Sequence, residues 1–189
     1  NRDPATLDGE ASLEDAGVKL APMPIGVDDA VRLGGTEERT CAVRRTGAVT
    51  CWSRPRADQA RAGMTFETDP GIQSARRLAV GFGHACAVLA DGTVACWGED
   101  RDAQLGDGER RPGQQRAVPV EGLRGAVDVS VGLSPTGSYS CALLVDGTVR
   151  CWGSNAYGQF APQIEELGAP HRVRGLGPAS ATRLARGPG

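Results

Sequence analysis

Six cysteines offer the most obvious chemistry in this 189-residue chain, and they fall into three pairs with one spacing: Cys41 and Cys51, Cys86 and Cys96, Cys141 and Cys151. Two chemistries fit. The pairs can be cross-strand disulfides, since none is left over, or free thiols buried as small hydrophobes. Zinc is not expected, because no two ligands have the short spacing of a zinc knuckle. The two histidines, His84 and His171, stand near no patterned Ser, Cys or carboxylate in sequence, so no triad or acid–base pair is expected. Asp100-x-Asp102-x-Gln104 faintly resembles a calcium loop, but its sixth and twelfth positions are Leu105 and Arg111 where glycine and glutamate are required. The expectation is therefore no catalytic residue, no metal and no cofactor.

What positions the cysteines is a repeat. Cys41-Ala-Val-Arg-Arg-Thr-Gly47-Ala-Val-Thr-Cys51-Trp52 aligns without gaps on Cys86-Ala-Val-Leu-Ala-Asp-Gly92-Thr-Val-Ala-Cys96-Trp97 and on Cys141-Ala-Leu-Leu-Val-Asp-Gly147-Thr-Val-Arg-Cys151-Trp152. Gln59, Gln104 and Gln159 each lie seven residues beyond the tryptophan. The first cysteines are 45 and then 55 residues apart, a propeller-sized period. Each segment reads as a β-hairpin. A two-residue Asp-Gly loop would pair Cys86 with Trp97. A three-residue loop closed by a left-handed glycine pairs Cys86 with Cys96, and is preferred because it places Gly92 where the absence of a Cβ removes the steric penalty. In that register the cysteines share one uniformly apolar face with Val43 and Val49, Val88 and Val94, or Leu143 and Val149, while Ala42, Ala87, Ala142 and the tryptophans point the other way. One reading makes Trp52, Trp97 and Trp152 a stacking platform for sugars or bases. Recurrence at one offset favours blade-to-blade packing instead.

Gly81-Phe-Gly-His84-Ala-Cys86 through Leu105-Gly106, with Cys151-Trp-Gly-Ser-Asn155-Ala-Tyr-Gly158-Gln159, resembles the repeat of the regulator-of-chromosome-condensation family in its bacterial, cysteine-containing form. The resemblance implies an all-β propeller segment: about three full repeats with partial repeats at both ends, from a ring of about seven four-stranded blades. The chain departs from the pattern where Arg39 and Tyr139 replace the histidine, where Ser53 follows Trp52, and where four extra residues separate Gly132 from Cys141. As one propeller segment over 1–189, the chain divides into 1–23, the tail of a preceding repeat; 24–69, with hairpin 41–51; 70–117, with hairpin 86–96; 118–170, with hairpin 141–151; and 171–189, the start of a further repeat. Three and a half units do not close such a ring, so an open arc is expected, with the remaining blades of the parent propeller as neighbours.

Net charge is −2 with pI near 5.7, which gives no electrostatic footprint for nucleic acid, and no apolar run is long enough to insert in a membrane. The expected function is a non-catalytic scaffold that binds another protein. Two alternatives are an exchange-factor-like regulator of a small GTPase, which the family resemblance implies, and an accessory module of an enzyme. Paired cysteines imply an extracellular, periplasmic or cell-surface location, and free thiols a cytoplasmic one. Partner contacts are expected where the repeat varies, at 53–74, 109–117 and 133–139, with Arg54, Phe66, Arg110, Arg111 and Tyr139 as the residue types favoured at hot spots.

Thiol counting tests the bridges. On the oxidised chain, denatured without reductant, no cysteine should react. Six reactive thiols would remove the disulfides and restore a cytoplasmic location. Each bridge closes a loop of about ten residues and contributes ~3 kcal/mol at most, so reduction should loosen hairpins without dissolving the sheets.

Overall fold

The computed structural model describes residues 27–37, 39–53, 65–67, 70–134, 137–158, 160, 166–173, 175, 181 and 183–184. The hairpin turns set its architecture. The amides of Arg44, Leu89 and Leu144 bond to the carbonyls of Ala48, Thr93 and Thr148, so each loop holds three residues. Its last residue is Gly47, Gly92 or Gly147, with φ of +89°, +78° and +79°. Asp91 and Asp146 close two of the turns by accepting the amide and hydroxyl of Thr93 and of Thr148. Those bonds, the hydroxyl first, hold both carboxyls below the usual range.

This loop length places Cys41 opposite Cys51, Cys86 opposite Cys96 and Cys141 opposite Cys151. Their Cα atoms are 4.0–4.1 Å apart and each sulfur pair is at disulfide distance, 2.08–2.14 Å. Around each hairpin an inner and an outer strand complete an antiparallel four-stranded sheet. The first blade comprises β1 (Ala30–Gly35), β2 (Arg39–Arg44), β3 (Val49–Ser53) and β4 (Thr65–Glu67). The second comprises β5 (Ala75–Val80), β6 (His84–Leu89), β7 (Val94–Asp100) and β8 (Arg111–Pro119). The third comprises β9 (Ala126–Ser134), β10 (Gly137–Leu144), β11 (Val149–Ser154) and β12 (Glu166–Arg172). No helix occurs among the described residues.

Strands β8 and β12 run across positions 117/118 and 170/171. Both faces of the second blade are packed. Cys86, Val88, Val94 and Cys96 pack toward the third blade, with Ala126, Val129, Val131, Ala142 and Trp152. Ala85, Ala87, Ala95 and Trp97, on the other side of the same sheet, pack toward the first blade, with Cys41, Val43, Val49 and Cys51. Both faces are dry because the middle sheet lies between two others, and alanine is small enough to let sheets approach.

Backbone hydrogen bonds join the blades at the turns. The amide of Ala75 bonds to the carbonyl of Gly47, and that of Ala126 to the carbonyl of Gly92. A Cβ on Gly92 would stand 3.3 Å from the backbone of Gly125, in the segment leading to the third blade. Gly92→Val therefore combines left-handed strain of ~1–2 kcal/mol with an interblade clash, and a loss of about 2 kcal/mol or more is expected in denaturant unfolding. Asp91→Asn, which keeps the accepting oxygen, should shift the midpoint little. Equal losses from the two substitutions would contradict this account of the turn.

Candidate functional site

A group of hydrogen-bonded polar side chains lies where the loop after β7 meets the third blade. Asp100 is fully buried, and its Oδ1 accepts the amide of Leu105 at 3.1 Å. Asn155 does the same for Phe160, at 3.1 Å, one repeat later. These caps shape a loop that delivers Leu105 into the core and turns the carbonyl of Gln104 toward the neighbouring sheet. That carbonyl accepts the Ser140 hydroxyl at 2.9 Å and the Trp152 indole N–H at 2.9 Å. Gly106 leaves room for the indole; a Cβ there would sit 2.6 Å from it. The carboxylate of Asp102 accepts the amide of Ser138 at 2.8 Å.

His84, on β6, meets Ser140 across the blade junction, with 2.9 Å between Nε2 and Oγ. The distance would suit a nucleophile and its base. The chemistry does not. Ser140 donates to Gln104, so Nε2 carries the proton and donates to Oγ, the reverse of activation. Both residues are at most 1% exposed, leaving no room for a substrate. No carboxylate orients Nδ1, which has no hydrogen-bond partner. Burial pushes the imidazole down to about 4, opposed by the backbone of Tyr139, which lies close to the ring without a well-formed hydrogen bond. The pair is a neutral interblade joint. Sequence reading missed it because the partners lie 56 residues apart. The recurrence of His84, Arg39 and Tyr139 at one repeat position marks the site without revealing its contacts.

The faint calcium loop dissolves into these structural roles, and the described residues contain no group of potential ligands suited to a metal. Burial raises the Asp100 carboxyl above its usual range, against the Leu105 amide and the Arg111 cation. Arg111 approaches Asp100 at 3.6 Å and pairs with Asp107 and Glu109.

The sequence-predicted partner residues scatter. Arg54 lies outside the described residues, as do Gln59 and Gln159. Phe66 is on β4, opposite Trp52 in register, with its side chain outside the described set. Tyr139 lies on β10, not at a loop tip. Its half-buried ring sits over Gly132 and stands 5.8 Å from that of Phe160. The four extra residues before Cys141 lengthen the β9–β10 hairpin. The stretch 109–117 is likewise mostly strand, the exposed edge β8. Arg110 is exposed at its start and donates to the carbonyl of Arg101. Of the tryptophans, Trp97 and Trp152 are buried and Trp52 is half-buried.

The regulator of chromosome condensation (RCC1) repeat model matches residues 76–104 and 136–159. Similar solved structures include yeast RCC1 (Prp20) bound to Kap60, at 14% identity and TM-score 0.60, covering 77% of this chain and 37% of that one. Prp20p of Saccharomyces cerevisiae, described with its binding properties to Gsp1p and histones, gives 13%, 0.59, 77% and 38%. Human WBSCR16 gives 17%, 0.58, 77% and 38%. No curated protein matches. The chain is thus a segment of RCC1-type propeller fold, spanning less than two-fifths of the length of these structures.

His84 makes stability depend on pH. The unfolded chain takes up a proton near pH 6.5 that the folded chain excludes down to about 4. Its contribution is complete above pH 6.5 and declines as pH falls through that window, by ~3 kcal/mol at 1.36 kcal/mol per unit. Urea midpoints at pH 7 and pH 4 measure it. The difference should shrink in His84→Gln, which keeps an N–H for Ser140; an unchanged difference would discount the buried imidazole.

Proposed function

We propose that this chain is part of a non-catalytic propeller scaffold that binds another protein outside the reducing cytoplasm. The supporting observation is where the reactive groups lie. The histidine–serine pair is sealed in a blade junction, and all six cysteines are paired inside hairpins. Among the described residues, exposed variation lies on the edge strand β8 and the loop before it, with Arg110 as a contact residue and Arg54, Phe66, Arg111 and Tyr139 as further candidates. In Arg111 and Tyr139 the internal contacts compete with that role. Yeast RCC1, of the same fold, is described in complex with Kap60, which agrees with a protein-binding use of the architecture.

The second reading, regulation of a small GTPase, draws on the described binding of Prp20p to Gsp1p. The paired cysteines weigh against it, because disulfides seldom persist in cytosol where exchange factors act.

A reconstituted complex separates the two. A partner should bind the oxidised chain with defined stoichiometry, and Arg110→Ala should weaken the purified complex about fivefold while leaving thermal unfolding unchanged. Accelerated nucleotide release from a small GTPase by the chain would replace the scaffold reading with the exchange-factor one.

A further inference from the structure

The innermost strands carry a second repeat, independent of the cysteines. Ala30-Val-Arg32-Leu-Gly34, Ala75-Arg-Arg77-Leu-Ala79 and Ala181-Thr-Arg183-Leu-Ala185 align, and Ala126-Val-Asp128-Val-Ser130 occupies the same place in the third blade. Register confirms the equivalence within the sheets: Arg32 lies opposite Val43, Arg77 opposite Val88, and Asp128 opposite Leu143. Arg32, Arg77, Asp128 and Arg183 all line one open cavity of about 710 Å³ along β1, β5 and β9. Among the described residues, three guanidiniums and one carboxylate thus line this wall, in a chain whose net charge is −2.

Packing does not require these arginines. Each is exposed, and none forms an ion pair among the described residues. The Arg77 guanidinium bonds only to the backbone carbonyl of Arg76. Asp128 is engaged differently: its carboxylate accepts the amides of Val129 and Leu184, holding the segment that carries Arg183. Between the charges lie exposed aliphatic side chains, Val31 at 54%, Leu33 at 68% and Val127 at 42%.

We propose that this wall binds an acidic peptide segment with interspersed aliphatic side chains, supplied by a partner protein. The cations select carboxylates, and low-dielectric walls concentrate their field in the cleft. Val31, Leu33 and Val127 give apolar side chains a place to lie. Among the described residues the lining holds no aromatic side chain, so single-stranded nucleic acid would lack there the stacking surface that carries much of its affinity. The site is separate from the β8 edge and does not depend on it.

The test uses the oxidised chain and three fluorescein-labelled probes: a Glu/Val peptide, a Gln/Val peptide of equal length, and an oligothymidylate of equal charge. Anisotropy should show binding of the Glu/Val peptide alone, weakening as salt rises from about 0.05 M to about 0.5 M. Arg32→Gln, Arg77→Gln and Arg183→Gln should each weaken it about threefold, as loss of an exposed ion pair does. Asp128→Asn, which keeps one of the two accepting oxygens used by Val129 and Leu184, should tighten it about twofold in chains with unaltered melting. Arg116→Gln, on exposed β8, should change nothing. No binding of the Glu/Val peptide at low salt, equal binding of the Gln/Val peptide or oligothymidylate, or indifference to the arginine substitutions in chains with unaltered melting would overturn the proposal.

Discussion

One carbonyl oxygen, that of Gln104, joins the second blade to the third. It receives the Ser140 hydroxyl and the Trp152 indole N–H, and both donors would be stranded in a dry interior without it. A buried donor left unpaired costs about 1–3 kcal/mol. The surrounding sequence serves this contact. Asp100 caps the loop, Gly106 makes space for the indole, and His84 holds the serine from the opposite side. Trp152 is therefore a polar anchor as well as an apolar filler, and a phenylalanine in its place would deprive the Gln104 carbonyl of its second donor.

Much of this fold is legible in the chain because its physics is local. A glycine with no Cβ, placed ten residues' span inside two cysteines, selects a loop length, and the loop length selects the register of every residue in the hairpin. Strand alternation then sorts the faces. Alternation does not say what covers each face; on the alanine side, dry in the second blade, it is the recurrence of tryptophan that points to a neighbouring blade. Likewise the edge strand β8 reads as a link, because Arg111-Pro-Gly-Gln-Gln-Arg116 has none of the alternation expected of a half-buried strand. It pairs on one side only and is exposed on most of its length.

The site residues were harder to read, for a related reason. Arg110, Arg111 and Tyr139 were singled out by residue type, yet type does not reveal that Arg111 is drawn into a cluster of three carboxylates or that Tyr139 lies over Gly132. Such contacts join residues through the folded loop. The His84–Ser140 joint is the extreme case: its members come from different blades, and neither neighbourhood in sequence mentions the other.

The two unlike faces of each blade have a consequence for how such a chain can grow. At both described junctions a cysteine-and-valine face meets an alanine-and-tryptophan face, so the contact is heterologous, head to tail, and not self-complementary. A duplicated blade inserted between two others would find both of its required surfaces already present. Tandem duplication of one gene segment can thus lengthen the array without inventing an interface. Two identical chains, by contrast, cannot join symmetrically through these faces, since a twofold axis would set like against like.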